Sequence, residues 1–149
     1  MRLLSAAGIP YSVKEYTVDE ADHSAIHAAE SLGIPPEQIF KTLVLKGVSG
    51  AHFVCCIPGN AELDLKKTAR AVKEKSIDLI PMKDLQPLTG YIRGGCSPIG
   101  MKKQFATFID ETAQLFDEIS VSAGERGIQV ILDPSLLADF ISAQFTDIT

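Results

Sequence analysis

Two apolar stretches, IFKTLVLKG (39–47) and AHFVCCI (51–57), flank the turn residues Val48, Ser49 and Gly50. Short runs rich in β-branched and aromatic residues, broken by a glycine turn, read as the two strands of a hairpin. This pair constrains the fold more than any other feature, because a strand that is apolar over most of its length has to be covered. On the first strand Ile39, Lys41, Leu43 and Leu45 share one face. Three of them are apolar and the fourth carries an ammonium. An unpaired buried ammonium is costly, so Lys41 has to reach a sheet edge, find a partner or line a pocket.

The rest of the chain follows from periodicity and punctuation. Residues 1–7 read as a short helix ending at Gly8, and 11–17 (YSVKEYT) as a strand. Ser24 caps a helix running to about Leu32, with Gly33 as its stop. Asp64 caps a second helix from Leu65 to about Lys75, whose buried stripe is Leu65, Ala69 and Val72. Residues 82–88 read as a shorter helix. Strands are expected at 106–110, 118–122 and 127–132, and Pro134 opens a last helix over 135–142. Helices and hairpins are interspersed, which predicts an α/β (α+β) domain with a mixed, partly barrel-like sheet.

The chain has 149 residues, enough for one domain, 1–149, with a substantial core. Its 46% apolar and 22% charged composition excludes a disordered, collagen-like or long coiled-coil chain. The longest uncharged stretch, 47–61, is interrupted by Gly50, Pro58, Gly59 and Asn60, so no membrane span is expected. The N-terminal apolar run stops at Gly8 and Pro10, too short for a signal-peptide core, and the cytosol is the expected location. Cys55, Cys56 and Cys96 form no disulfide framework and read as small buried hydrophobes. His23 and His27 could share a helix face, but no Glu or Cys completes a zinc site.

The net charge of −5 hides a basic middle. From Lys66 to Lys103 there are nine basic residues against three acidic ones. Within it, Lys66, Lys67, Arg70 and Lys73 line one side of the second helix, either as a solvated face or as a surface for phosphates. The loop Gly94-Gly95-Cys96-Ser97-Pro98 can bring backbone N–H groups close to a carbonyl or oxyanion, or can be an ordinary tight turn. Cys96 has no identifiable His partner that would make it a nucleophile. Ser122, in the loop 122–127, suits a pocket wall or a hairpin turn equally. Walker A, G-x-G-x-x-G, G-x-S-x-G and paired zinc cysteines are all absent.

Four segments in order, IFKTLVLKG, LDLKKTARA (63–71), GYIRGGCSPIG (90–100) with Lys102 and Lys103, and ISVSAGERGIQVIL (119–132), resemble the YbaK/ProX aminoacyl-tRNA deacylase family. The likeness runs from about Tyr11 to Phe145 and is strongest to the YbaK (EbsC-type) branch, which edits Cys-tRNA(Pro). It implies a compact domain with a barrel-like sheet, acting in trans on the ester between a wrong amino acid and its tRNA. It places Lys41 on the family's essential lysine. It also places Gly94, Gly95, Cys96, Ser97 and Pro98 on the G-x-x-x-P loop, with Cys96 at a variable position. Ser122 and Tyr16 fall on pocket residues. Some members have an acid where this chain has Gln129, so no role needing a charge is expected there. The segment His23 to Ile26 departs from some members and is expected to shape the amino-acid pocket. The basic helix would guide the acceptor stem.

The resemblance implies no metal or organic cofactor. The partners it implies are aminoacyl-tRNA and, through the same domain's occurrence in some prolyl-tRNA synthetases, that synthetase; DNA and membrane are not expected. In the cysteine-specific branch the substrate's own thiol attacks its carbonyl. The competing readings are a deacylase for alanine or another small amino acid, a non-catalytic module that binds tRNA or a synthetase, and a hydrolase of an unrelated small ester.

Overall fold

Local chemistry sets most boundaries in the computed structural model, which describes residues 2–149. Along the chain run α1 (Arg2–Ala6), β1 (Ser12–Glu15), α2 (Ala25–Leu32), β2 (Phe40–Gly47) and β3 (His52–Pro58). Then come α3 (Leu65–Val72), β4 (Ile77–Leu79), α4 (Met82–Thr89) and β5 (Ala106–Asp110). A 3₁₀ turn at Glu111–Leu115 leads to β6 (Ile119–Ser122), β7 (Ile128–Leu132), α5 (Pro134–Ile141) and β8 (Gln144–Thr146). Of the helix expected over 1–7, Met1 lies outside the described residues.

The expected caps form. Ser24 accepts the His27 N–H at 3.1 Å, and Asp64 accepts the Lys67 N–H at 2.9 Å. Pro134 fills the first turn of α5 as expected, and a further cap not expected from the sequence forms at Asp133, which accepts from the N–H groups of Ser135 and Leu136. Helix α3 ends at Val72, three residues before the expected stop, because Lys73 turns left-handed at φ 62° and closes the helix. Its buried face also differs from the expected stripe. Thr68 and Ala69 are buried, whereas Leu65 is exposed. Thr68 can be buried because its hydroxyl donates to the Asp64 carbonyl at 2.7 Å.

The strands form two sheets, ordered β1-β7-β6 and β4-β2-β3-β5-β8. The β2–β3 hairpin is the expected one, pairing Lys41 with Ile57 and Thr42 with Cys56. β3–β5 and β5–β8 are parallel, and the remaining pairs are antiparallel. The mixed α/β class is therefore as expected, but the sheet is not a closed barrel. The far edge of β2 is divided. Near its start it meets β6 through one parallel bridge, Ile39 to Ser120, with the Ser120 N–H donating to the Gln38 carbonyl at 3.0 Å. From Leu45 onward it pairs with β4. A gap separates the two, and the sheet splits there instead of closing.

The hairpin is covered on both faces, as its composition requires. On one side Leu45, Cys55, Ile57 and Phe108 pack with Ala69 of α3 and with Ile148. On the other, Phe40, Cys56 and Ile109 pack with Val121, Val130 and Leu132 of the smaller sheet and with Leu137 of α5. The C-terminal segment is tied to β5 through the fully buried Asp110. One carboxylate oxygen accepts from the Ile148 N–H (3.1 Å) and the Thr149 hydroxyl (3.2 Å), and the other from the Thr112 hydroxyl (2.6 Å).

Replacing Asp110 with Ala strands several of these donors in the interior. We expect Asp110→Ala to lower the unfolding free energy by about 2–4 kcal/mol in urea titration. An unchanged midpoint would contradict this role.

Candidate active site

The gap in the β2 edge opens into a cavity of about 710 Å³. Side chains from both faces of β2 reach it, because it wraps around the strand's unpaired edge. Tyr16, Lys41, Gly94, Cys96, Ser122 and Gln129 all line it. Residues from four distant stretches of sequence thus meet in one place.

Lys41 is half-buried. Its Nζ donates to the Gly59 carbonyl at 3.3 Å, and no carboxylate lies in ion-pair contact with it among the described residues. Removal from water lowers its pKa from the ordinary 10.5, and the Glu62 carboxylate, also on the cavity wall, opposes that shift. Gly59 is closely packed. Its N–H donates to the Ile39 carbonyl at 2.7 Å, and a Cβ there would sit 3.0 Å from Ile39 and 3.1 Å from Ala25. The carbonyl that receives Lys41 is therefore fixed by close packing.

The glycine loop contributes unequally. Gly94 and Cys96 reach the cavity. Gly95, Ser97 and Pro98 are buried beneath them, and the Ser97 hydroxyl accepts the Ile99 N–H at 3.1 Å. Gly94 adopts φ 83°, and a Cβ there would lie 2.8 Å from the His23 Cβ. The segment before α2 thus presses directly on the loop, and His23, Ser24, Ala25 and Ile26 all line the cavity. From the other side the Arg126 Nε donates to the Arg93 carbonyl at 2.7 Å.

The remaining wall is polar but largely satisfied. The buried Ser122 hydroxyl accepts the Gly124 N–H at 3.2 Å. The Gln129 carbonyl oxygen accepts from the Ser120 hydroxyl at 2.8 Å. Tyr16 is fixed by its N–H to the Gly127 carbonyl (2.9 Å), with its ring edge-on to His27 at 6.2 Å.

No cysteine of the chain is an activated nucleophile. Burial pushes each of the Cys55, Cys56 and Cys96 thiols up to about 12. Among the described residues no group of three or more His, Cys, Asp or Glu side chains could hold a metal ion. No helix among them is long and apolar enough to cross a membrane.

The basic helix is split in its roles. Lys66, Arg70 and Lys73 are exposed. Lys67 instead pairs with Asp147 at 3.0 Å and donates to the Thr149 carbonyl at 2.7 Å, tying α3 to the C-terminal segment. Arg93 and Glu62 also line the cavity and were not singled out from the sequence. Arg93 directly precedes the glycine loop, the one local signal that could have marked it. Glu62 carries no such signal.

A family model described as the aminoacyl-tRNA editing domain matches residues 19–140. Over all 149 residues the chain is 49% identical to EbsC of Enterococcus faecalis, provisionally named a Cys-tRNA(Pro)/Cys-tRNA(Cys) deacylase, and it spans 91% of that protein. It is 26% identical over 129 residues, 84% of its own length, to 22% of the proline–tRNA ligase of Limosilactobacillus fermentum. A crystal structure provisionally described as a trans-editing enzyme for prolyl-tRNA synthetase superposes with TM-score 0.86 at 26% identity, covering 99% of this chain and 92% of that one.

Desolvation disfavours the charged form of Lys41, so its proton leaves at a lower pH than that of an ordinary lysine. Following the Lys41 ¹³Cε resonance against pH should give a midpoint below 10.5. A midpoint at or above that value would mean the ammonium stands in open water.

Proposed function

The chain belongs to the aminoacyl-tRNA editing domain family, and from that premise we propose that it removes wrongly attached amino acids from tRNA in trans, chiefly cysteine from tRNA(Pro). The observation that carries this reading is the half-buried Lys41, facing a cavity that also holds Gly94 of the glycine loop. The likeness to EbsC, provisionally named a Cys-tRNA(Pro)/Cys-tRNA(Cys) deacylase, and to proline–tRNA ligase supports cysteine as the amino acid and prolyl-tRNA synthetase as the source of the substrate.

An aminoacyl ester is already reactive, so the enzyme has mainly to position it and to stabilise charge. The turn at Gly94 holds the aminoacyl carbonyl, and Tyr16, Ser122 and the segment from His23 to Ile26 enclose the amino-acid side chain. Lys41 supplies positive charge to the terminal nucleotide's phosphate or to the developing oxyanion. The wall offers no competent nucleophile, since Cys96 with a pKa of about 12 is ionised in about one molecule in 10⁵ at neutral pH. The substrate's cysteine supplies the nucleophile itself. Its sulfur bonds to the carbonyl carbon, the bond to the tRNA oxygen breaks, and that oxygen takes up the thiol's proton. The products are free tRNA and a cyclic thioester, which water opens to cysteine. Lys66, Arg70 and Lys73 meet acceptor-stem phosphates without reading sequence.

Lys41→Ala should reduce the single-turnover rate on Cys-tRNA(Pro) by about 10²–10³-fold while the melting transition is retained. Wild-type turnover in a folded variant would remove Lys41 from the mechanism. Cys96→Ser should keep most of the activity, and its complete loss would favour a covalent thiol enzyme.

A further inference from the structure

The divided edge of β2 leaves backbone groups without partners inside the cavity. In a strand the N–H and C=O of one residue point to the same edge, and successive residues alternate. The Gly47 N–H donates to the Ala51 carbonyl, so the odd-numbered residues face β3. The Val44 carbonyl accepts the Ile80 N–H at 3.1 Å, so the even-numbered residues face the other edge. There β6 reaches only the bridge at Ile39, and the β4 pairing begins at Leu45. The Thr42 carbonyl and the Val44 N–H therefore point into the gap, and neither has a partner among the described residues. Both residues line the cavity.

An acceptor and a donor two residues apart on one edge are what a further strand, or a planar base, would pair with. The flanks of the gap favour the base. Leu79 and Met82 stand at its mouth, 54% and 57% exposed, with Ile80 and Leu85 deeper on the same wall. Such exposed apolar groups beside an unpaired edge make a slot for a flat ring. The neighbouring Lys41 adds the charge that a nucleotide's phosphate would meet.

We propose that this notch binds the base of the substrate's terminal adenosine. This rests on the deacylase reading and adds the base-recognition element to it. The adenine amino group donates to the Thr42 carbonyl, and adenine N1 accepts the Val44 N–H. Cytosine offers the same donor and acceptor pair on a smaller ring. Guanine and uracil place an oxygen opposite the carbonyl and an N–H opposite the N–H, so both are rejected.

The test uses the intact ¹⁵N-labelled protein and the four nucleoside 5′-monophosphates. AMP and CMP should shift the Val44 amide resonance, and GMP and UMP should not. The phosphate is common to all four and cancels from the comparison. Equal shifts with all four, or a silent Val44 amide, would overturn the proposal. An extended peptide that shifts it where AMP does not would overturn it too. In a second arm, Cys-tRNA(Pro) ending in purine riboside lacks the amino group and should show KM raised about ten-fold with kcat unchanged, because the Thr42 carbonyl loses its donor. An unchanged KM would count against the pairing. Base-selective shifts in a protein that cleaves no charged tRNA would sustain the notch and remove the deacylase. Cleavage together with base-indifferent shifts would do the reverse.

Discussion

An ammonium partly withdrawn from water seeks charge or hydrogen-bond acceptors, and at Lys41 the described residues supply one hydrogen-bonded carbonyl, that of Gly59, with the Glu62 carboxylate acting from the cavity wall. The rest of the site is arranged around that deficit. The carbonyl is held in place by the packing of Gly59 against Ile39 and Ala25. The strand that carries Lys41 is fixed along its whole length by β3 and is left open on its other edge between β6 and β4. A cation kept short of partners in a partly apolar cavity attracts an anion more strongly than one in open water, because screening is weaker there.

Much of this was legible in the sequence. The hairpin and its turn follow from two apolar runs around Gly50, and the unusual position of Lys41 from the period-2 alternation of a strand. The caps at Ser24 and Asp64 and the start of α5 at Pro134 follow from local chemistry, which acts over three or four residues. The missed features depend on distant partners. Strands β4 and β8 have three residues each and exist because β2 and β5 pair with them. Lys67 looks like its basic neighbours until the fold brings Asp147 beside it. Ser97 looks like a loop hydroxyl until burial turns it toward the Ile99 N–H.

The site was readable in its parts but not in its assembly. Lys41, the glycine loop and Ser122 each allowed a bland alternative, and resemblance to a family, not spacing, joined them. The structure adds how they meet. The edge of β2 is the meeting place, and a divided sheet edge cannot be seen in a pattern of apolar and polar residues. The same division explains why the sheet does not close. Closure would cover the backbone that the cavity now exposes.

With no activated thiol in the site, the proposed reaction depends on what the substrate brings. Three buried thiols with pKa values pushed to about 12 are poor nucleophiles, and the proposed reaction takes its attacking group from the amino acid instead. The most direct measurement is the single-turnover rate on Cys-tRNA(Pro) set against that on Ser-tRNA(Pro), which differ by sulfur for oxygen. The account expects cysteine to be released much faster. Equal rates would contradict it and would require a nucleophile from the protein or from water.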